Sequence, residues 1–504
     1  MSGKLIIERW KRGHLIATNM PSLRTREHGQ IKTMKILFKN IGPVGKAELE
    51  LKDLTIIAGP NNTGKTYLAY TLYGFFRLVR QPLFLRHKIK DLPFDVSKTA
   101  QKILDTGTAH IPVKDFDKVA KKVVRQMFCI SGETISDIFS SPPDDFKDAE
   151  FSFYPDDSLQ DESDIRMTSL SKKEGKIAAG IDKETLSFHL LGDLSSVPPG
   201  IAEEMLFSVF ISMCMGLFNL PKPFILCAER FGISLFYKEL DFSKNRLVEI
   251  IQKLQDKGDT RNVDLVFSLT DQVSSHYAQP IKDNIDYTRE LEFIQKQPLI
   301  RVGKIALANT DGRNLPDNIK EMLGGYFKYR DGGIRFVSKA RKNGKFDIPL
   351  HLASSSARGL SDLYFFLKHT AHKNHLLIID EPESHLNTAN QIEIARLLAR
   401  CVNRGLKVLI TTHSDYLIKE FNNLIMLNNN FKGKANFLKS NKQYSPNDCL
   451  KPEAVGAYIC ENGTLTPCRI DNKGMDIQSF DNTIDEINRI SDELDFLTDS
   501  LPVE

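Results

Sequence analysis

The alternation of apolar and polar residues is clearest near the start of the chain. Between Lys35 and Leu51 apolar positions recur about every second residue around a Gly-Pro turn, which predicts two β-strands. The apolar run LTIIAG at Leu54–Gly59 predicts a third, buried strand. The following stretch, KTYLAYTLYGFFRLVR, has leucine and phenylalanine at helical spacing. The pattern therefore predicts strand, glycine-rich loop and helix in direct succession.

The middle of the chain has less regular patterns. Residues 203–218 (EEMLFSVFISMCMGLF) are apolar on most sides and predict a buried helix. The segment PFILCAER, 223–230, predicts a strand that returns to the main sheet. Residues 245–257 and 288–296 have amphipathic helical spacing, and 326–350 contains two glycine turns that predict paired hairpins. These alternating elements favour an α/β fold.

Composition narrows the class of protein. A chain of 504 residues exceeds the size of one ordinary core, so two or more lobes are expected. The net charge of +4 neither requires nor excludes DNA as a partner. Seven cysteines without a C-x-x-C pair predict reduced thiols in the cytoplasm and no cysteine zinc site. Because no apolar run reaches about 18 residues, no membrane association is expected.

The stretch GPNNTGKT fits the phosphate-loop pattern G-x-x-x-x-G-K-[ST]. Its glycines allow a turn whose N–H groups point at phosphate oxygens, Lys65 reaches the β- and γ-phosphates, and the Thr66 hydroxyl is a magnesium ligand. A chance glycine-rich turn is the alternative, but the predicted strand and helix are the context that the motif requires. The nucleotide-binding candidates are Gly59, Pro60, Asn61, Asn62, Thr63, Gly64, Lys65 and Thr66.

A second motif, HLLIIDEPESHLN at 375–387, is an apolar strand that ends in two acids. Asp380 is predicted to hold magnesium, directly or through water. Glu381 is predicted to act as general base for the attacking water or to orient it. Adjacent carboxylates at the mouth of a buried strand are unfavourable unless a cation compensates them. The alternative, a strand that simply ends at the surface, leaves the co-occurrence with a phosphate loop unexplained.

Two further motifs flank the acids. In VLITTHSDYLI, 408–418, another apolar strand ends in His413, which is predicted to contact the γ-phosphate. A lone histidine after a strand is more often structural, but this strand is the next one after Asp380. In LHLASSSARGL, 350–360, serines precede a helix and form either an anion site or an ordinary N-cap.

The order of these motifs resembles that of ABC-type ATPase heads, the class of the SMC-like, RecF-like and OLD-family proteins. The resemblance implies that two heads enclose two ATP molecules with Mg²⁺. It also implies that the serines of one chain, Ser355 and Ser356 with Arg358 nearby, cap the γ-phosphate held by the other. The loop SHLN, 384–387, would then cross the dimer. The run SSSARGL replaces the LSGGQ-like run of transporters.

One more segment carries a resemblance. CAERFGI at 227–233 is similar to an AER-G segment of defence-type relatives, which implies that Glu229 and Arg230 belong to the nucleotide site. The fold class expected from all the motifs is an α/β P-loop NTPase. It has an ABC-type head with a mixed sheet flanked by helices, a helical insertion and a small C-terminal α+β piece.

The expected domain organisation follows from the motif positions. Residues 1–33 are basic and predict a flexible tail, or Met34 is the natural start. The ATPase lobe is formed by 34–85 and 223–430, and it is interrupted by a largely helical insertion at 86–222. Residues 431–504 are expected to be an accessory region for partner docking or assembly.

The biological role is inferred from the resemblance. After His413, which is the last histidine, there is no Asp-x-Asp pair, so neither a TOPRIM nor an HNH nuclease site is recognised. The chain resembles stand-alone ATPases of antiphage systems of the Septu PtuA or PARIS AriA type, which implies a homo-oligomer and a separately encoded nuclease effector. The alternative is a RecF-like DNA-repair ATPase that acts directly on DNA. A third reading is a slow ATPase whose ATP is structural.

Overall fold

The apolar runs of the sequence assemble into a ten-stranded mixed sheet in the computed structural model. The structure describes residues 488–494 and, outside a set of gaps, residues 34–477. The gaps are 82–88, 90–91, 114–115, 155–167, 173–174, 183–184, 192–198, 218–219, 237–276, 297–313, 342–343 and 374. The expected tail 1–33 and the expected helix 245–257 therefore lie outside the described residues.

The strands are β1 (Met34–Ile41), β2 (Val44–Leu51), β3 (Leu54–Ala58), β4 (Thr108–Pro112), β5 (Cys129–Ser131), β6 (Glu150–Tyr154), β7 (Thr168–Lys172), β8 (Gly175–Asp182), β9 (Thr185–Leu191), β10 (Lys222–Leu226), β11 (Gly325–Arg330), β12 (Gly333–Arg341), β13 (Gly344–Pro349), β14 (His375–Asp380), β15 (Lys407–Thr412), β16 (Val455–Glu461), β17 (Thr464–Pro467), β18 (Ile470–Asp471) and β19 (Gly474–Met475).

The helices are α1 (Lys65–Leu78), α2 (Val96–Thr106), α3 (Phe116–Arg125), α4 (Gly132–Phe139), α5 (Pro199–Leu217), α6 (Arg230–Phe236), α7 (Gln279–Lys296), α8 (Leu315–Leu323), α9 (Ser355–Phe365), α10 (Thr388–Asn403), α11 (Asp415–Met426) and α12 (Lys434–Ser440). A π-helical turn, Phe366–Thr370, extends α9. None of the helices in the described ranges combines the length and apolar character needed to cross a bilayer.

The main sheet has the order β10-β14-β15-β3-β16-β17-β2-β1-β6-β5. The first five strands are parallel. β15 therefore lies between the phosphate-loop strand β3 and β14, with Asp380 opposite Thr411 and Thr412 opposite Ala58. Because parallel strands end at the same edge of a sheet, the loops that follow β10, β14, β15 and β3 meet there.

Helices cover both faces of this sheet. Alternate residues of β14 point to opposite sides, so Leu376 and Ile378 pack in one core and Leu377 and Ile379 in the other. The first core contains α1 and the insertion, and the second contains α9, α10 and α11. The predicted fold class, an α/β P-loop NTPase with a mixed sheet flanked by helices, is confirmed.

Several predicted elements are also confirmed. β1 and β2 form the antiparallel pair around the Gly-Pro turn. The buried helix is α5, and the returning strand is β10, which pairs with β14. β11, β12 and β13 form one antiparallel sheet. These elements were predictable because each has a strong local pattern with turn residues at its ends.

The insertion at 86–222, which is expected to be largely helical, contains the helices α2, α3, α4 and α5 together with several strands. Its described part contains an antiparallel sheet of order β4-β9-β8-β7, and β5 and β6 extend the main sheet beside β1. Ile177 and Ala179 of β8 and Leu186 and Phe188 of β9 are buried, so period-two alternation is present. The strands are short and separated by polar turns, which made the sequence look irregular.

Part of the range expected to be accessory, 431–504, joins the main sheet. β16 pairs in parallel with β3, from Val455 opposite Leu54 to Ile459 opposite Ala58. β17 then continues the sheet towards β2. The polar loop before β16 suggested a domain boundary, but the chain returns to the centre of the ATPase sheet.

Candidate nucleotide site

The phosphate loop joins β3 to α1 in a strained backbone. Gly59, Asn62 and Gly64 have φ values of 144°, 62° and 103°. A Cβ atom at Gly59 would lie 2.4 Å from the carbonyl oxygen of Cys460 on β16, so only glycine fits there. Gly64, the N-cap of α1, supplies no side-chain cap. Gly64 therefore accepts no hydrogen bond from the first N–H groups of α1 through a side chain. An anion-binding site at a helix N-terminus requires such available N–H groups.

Lys65 lies folded back across this loop. Its Nζ donates hydrogen bonds to the carbonyl oxygens of Gly59 (2.9 Å) and Pro60 (2.6 Å). Burial lowers the pKa of Lys65, and the electrostatic influence of Cys460 and of the acids Glu381 and Asp380 opposes that shift. The ammonium group is therefore held inside the loop by its own carbonyl groups, where phosphate oxygens are the expected partners.

Asp380 forms a cluster with two threonines. The Thr66 hydroxyl of α1 lies 3.0 Å from Asp380 Oδ2, and the Thr411 hydroxyl of β15 donates to Asp380 Oδ1. Asp380 is completely buried, and burial raises its pKa to about 6, against the lowering effect of both hydrogen bonds. A buried carboxylate that is costly to ionise, beside a hydroxyl and a phosphate loop, fits a magnesium ion.

No group of three or more His, Cys, Asp or Glu side chains in the described part of the chain is arranged to hold a metal. This agrees with the way proteins bind Mg²⁺, which is held by one or two carboxylates together with substrate phosphates and water. The residues that fit this role are the two predicted ones, Thr66 and Asp380.

Glu381 follows β14 with a positive φ of 50°, which costs a non-glycine residue about 1–3 kcal/mol unless its surroundings hold it. Its N–H donates to the carbonyl oxygen (3.2 Å) and hydroxyl oxygen (3.1 Å) of Thr411. Its carboxylate accepts a hydrogen bond from Ser384 (3.0 Å) and remains 30% exposed. The carboxylate is thus held at the rim of the sheet, where water has access.

His413 lies beside Glu381, as the strand order requires. Its Nδ1 is 3.7 Å from Glu381 Oε1 and 3.3 Å from Glu383 Oε1. Glu383 is buried and also accepts hydrogen bonds from the His413 N–H and the Thr412 hydroxyl, both at 2.7 Å. Glu383 therefore orients the histidine, with Nε2 on the opposite side of the ring. Sequence reasoning missed Glu383, although EPE in the second motif was a visible signal.

Arg230, which is predicted to belong to the nucleotide site, lies buried behind the catalytic acids. It is 4% exposed, and its guanidinium donates to four main-chain carbonyl groups. The acceptors are Gly359 (3.2 Å), Cys227 (3.0 Å), Asp380 (2.8 Å) and Glu381 (2.7 Å). The neighbouring candidate Glu229 accepts a hydrogen bond from Tyr70 of α1 at 2.9 Å. The segment therefore lies next to the candidate site, and Arg230 bonds to the backbone of Asp380 and Glu381.

The serine segment forms the N-terminus of α9. Ser354 is the N-cap, and its hydroxyl accepts a hydrogen bond from the Ala357 N–H. Ser356 donates to the carbonyl oxygen of His385 at 2.8 Å, which ties α9 to the loop after Glu381. Ser355 is half-buried at the first position of the helix. Arg358 donates to the carbonyl oxygen of His351.

One family model matches part of the sequence. Residues 234–418 match the family model described as an AAA ATPase domain. This span contains the serine segment, Asp380, Glu381 and His413, whereas the phosphate loop lies before it. The match supports an ATPase domain. No curated protein matches the sequence.

Solved structures with a detectable likeness have very low similarity to this chain. The Smc head domain of Pyrococcus furiosus, bound to the C-terminal domain of ScpA, is 12% identical with a TM-score of 0.30, over 91% of this chain and 99% of that one. The SMC head domain of Thermotoga maritima is 10% identical with a TM-score of 0.29, over 88% and 100%. The recombination mediator protein RecF-ATPrS is 14% identical with a TM-score of 0.26, over 87% and 100%. Likenesses at this level carry no argument about function.

Proposed function

We propose that this protein binds ATP with Mg²⁺ at Gly59–Thr66 and hydrolyses it. The observation that carries the proposal is the cluster of Thr66, Asp380 and Thr411 beside Glu381, at the edge of the sheet where the phosphate loop lies. Four separate elements, α1, β14, β15 and the loop after β14, contribute to it. A packing role alone does not require a buried carboxylate at this position.

Each residue then has a defined task. The loop N–H groups and Lys65 bind the β- and γ-phosphates, for which Lys65 gives up its bonds to Gly59 and Pro60. Thr66 and Asp380 hold Mg²⁺, which when bound neutralises charge on the phosphates. Glu381 accepts the proton of the attacking water, and His413 contacts the γ-phosphate.

We further propose that the active form contains at least two copies arranged head to tail. The α9 N-terminus with Ser355 and Ser356 would cap the γ-phosphate bound to the other copy. Support comes from the motif order, and from the half-buried Ser355 at the first position of α9. Because Ser356 already bonds to His385, Ser355 is the better candidate for the contact between chains.

The Glu381→Gln variant tests hydrolysis. The amide keeps the size of the side chain but cannot accept the proton, so we expect kcat to fall about 10²–10⁴-fold while ATP still binds. The measurement is phosphate release together with ATP binding, and the bound nucleotide should hold the copies together in sedimentation. Glu48→Gln, an exposed residue of β2, is the control and should hydrolyse ATP normally. A Glu381→Gln protein as fast as wild type refutes the assignment of the base.

For the cellular role, we propose a sensor, regulator or scaffold subunit of a bacterial antiphage system that controls a separately encoded nuclease. The support is the resemblance of the motif set to the stand-alone ATPases of such systems. The test is affinity purification from cells with the native gene neighbourhood, using wild type and Glu381→Gln. A nuclease recovered in a nucleotide-dependent ratio supports the proposal. Recovery of this chain alone, with ATP hydrolysis stimulated by DNA, refutes it in favour of a repair-type ATPase.

A further inference from the structure

Arg230 is a buried charged residue to which the hydrolysis scheme above gives no task. It lies at the start of α6, directly after the carboxyl end of β10. Its four hydrogen bonds to main-chain carbonyl oxygens involve Nε, Nη1 and Nη2, so every nitrogen of the guanidinium is engaged. Such an arrangement fixes the backbone of several elements relative to one another.

Two of these bonds hold the catalytic loop. Nη1 donates to the carbonyl oxygen of Asp380, and Nη2 donates to that of Glu381. Thr411 holds the N–H of Glu381 from the other side. The left-handed backbone of Glu381 is thus fixed at both ends of the residue, and a strained conformation persists only when its surroundings impose it.

A third bond reaches α9. Nε donates to the carbonyl oxygen of Gly359, in the second turn of the helix that begins at Ser355. A Cβ atom at Gly359 would lie 4.0 Å from both Arg230 Nε and the carbonyl oxygen of Ser384, so α9 passes close to the catalytic loop. One side chain therefore bridges the serine-bearing helix and the backbone of Glu381.

The fourth bond anchors the arginine itself. Nη1 also donates to the carbonyl oxygen of Cys227, and the Cys227 N–H donates to Asn284 Oδ1 of α7 at 2.9 Å. The charge is favoured by nearby carboxylates: burial lowers the pKa of Arg230, whereas Asp380 and then Glu383 raise it. Only a planar fork with five donors can serve four carbonyl groups at once, and lysine cannot.

We propose that Arg230 is a positioning residue for ATP hydrolysis. It holds Glu381 in its left-handed conformation and connects it to α9, so that a second copy docking at Ser355 acts on Glu381 through one side chain. This inference rests on the proposed function. Arg230 touches neither water nor phosphate in the scheme, and it acts by holding the backbone of Asp380 and Glu381.

The test is a steady-state comparison of Arg230→Lys with wild type. Misplacement of a catalytic group by about 1 Å costs on the order of 10²-fold, so we expect kcat to fall about 10–100-fold. The KM for ATP should stay within about threefold, because the phosphate loop makes no bond to Arg230. Arg230→Gln, which keeps part of the hydrogen bonding without the charge, should give the same split between kcat and KM.

Arg396→Lys is a matched control. Arg396 is similarly buried, at 6% exposed, but it bonds to Glu420 of α11 and has no bond to the catalytic loop. This variant should lose thermal stability and keep its kcat. If both lysine variants lose stability alike and Arg230→Lys keeps the wild-type kcat, Arg230 is merely structural and the inference is overturned.

A measurement on the wild-type chain covers the case in which neither Arg230 variant folds. Hydrogen exchange is measured with and without ATP and Mg²⁺. Bound nucleotide should slow the exchange of the segments that contain Arg230, Gly359 and Glu381 together. Protection of the Glu381 segment alone overturns the inference. Failure of the proposed function can be distinguished from failure of this inference. In the first case the wild-type protein itself does not hydrolyse ATP.

Discussion

Replacement of Asp380 by asparagine should stabilise the metal-free protein while it abolishes ATP hydrolysis. Asp380 is fully buried among Thr66, Thr411 and Glu381, and burial raises its pKa from the ordinary 3.8 to about 6. The metal-free folded chain therefore resists ionisation of this carboxyl group. Asparagine has a similar shape and no charge, and both threonine hydroxyls can turn to accept from or donate to its amide.

The sign of the effect follows from proton binding. Between pH 3.8 and about 6 the folded protein keeps a proton that the unfolded chain has released, so the free energy of unfolding falls as pH rises. The fall amounts to about 3 kcal/mol and is complete above about pH 7. Roughly half of this decrease in the free energy of unfolding has occurred at pH 5. The stabilisation by Asp380→Asn should grow with pH in the same way.

Thermal unfolding in EDTA measures this difference. An unfolding entropy of about 2.1 cal/mol/K per residue corresponds to about 1 kcal/mol per degree for this chain, so we expect a Tm increase of roughly 3 °C at pH 8 and about half of that at pH 5. ATP with Mg²⁺ should raise the Tm of wild type but not of the variant. Asp492→Asn, at an exposed position, should leave the Tm unchanged. A lower Tm for Asp380→Asn at pH 8, or a difference independent of pH, refutes the reasoning.

Two other substitutions test the geometry of the phosphate loop and the contribution of a buried ion pair to stability. Gly59→Ala should abolish ATP binding, measured by titration calorimetry, because its Cβ atom would lie 2.4 Å from the Cys460 carbonyl oxygen; normal affinity would contradict the loop geometry. Arg400→Met should lower the free energy of unfolding by about 3 kcal/mol in a denaturant titration, because it leaves the buried Asp448 carboxylate, now bonded at 2.7 and 2.9 Å, without its cation. Its kcat should be unchanged, and a loss of activity without a loss of stability would contradict this role.

The elements of the site that the sequence predicted share one property: their signal is local. Gly59–Thr66 is a contiguous motif between a strand and a helix, and Asp380-Glu381 directly follows an apolar run. Their proximity also follows, because the carboxyl ends of parallel strands share one edge of a sheet. The periodicity of the sequence could not predict the strand order, in which β15 lies between β3 and β14. It therefore could not predict that Thr411 bonds to both Asp380 and the N–H of Glu381.

Arg230 shows why the rest was beyond local patterns. The sequence associated it with the site, but three of its four acceptors lie 129, 150 and 151 residues later, at Gly359, Asp380 and Glu381. A basic residue near a nucleotide site suggests a phosphate contact unless its burial and partners are known. Main-chain acceptors leave no trace in side-chain identity, so no sequence pattern identifies this role.

The C-terminal strand leads to a related conclusion about the phosphate loop. Cys460 of β16 lies under Gly59, and its thiol donates to the carbonyl oxygen of Thr63 at 3.2 Å. In the next turn, the Gly463 carbonyl oxygen accepts from Gly45 at 2.9 Å. A motif of eight contiguous residues is therefore shaped by a strand almost 400 residues further along the chain. The loop sequence contains the proposed donors for phosphate, and β16 forms the surface against which the loop packs. An ATPase domain ending before β16 would therefore lack one side of the candidate nucleotide site.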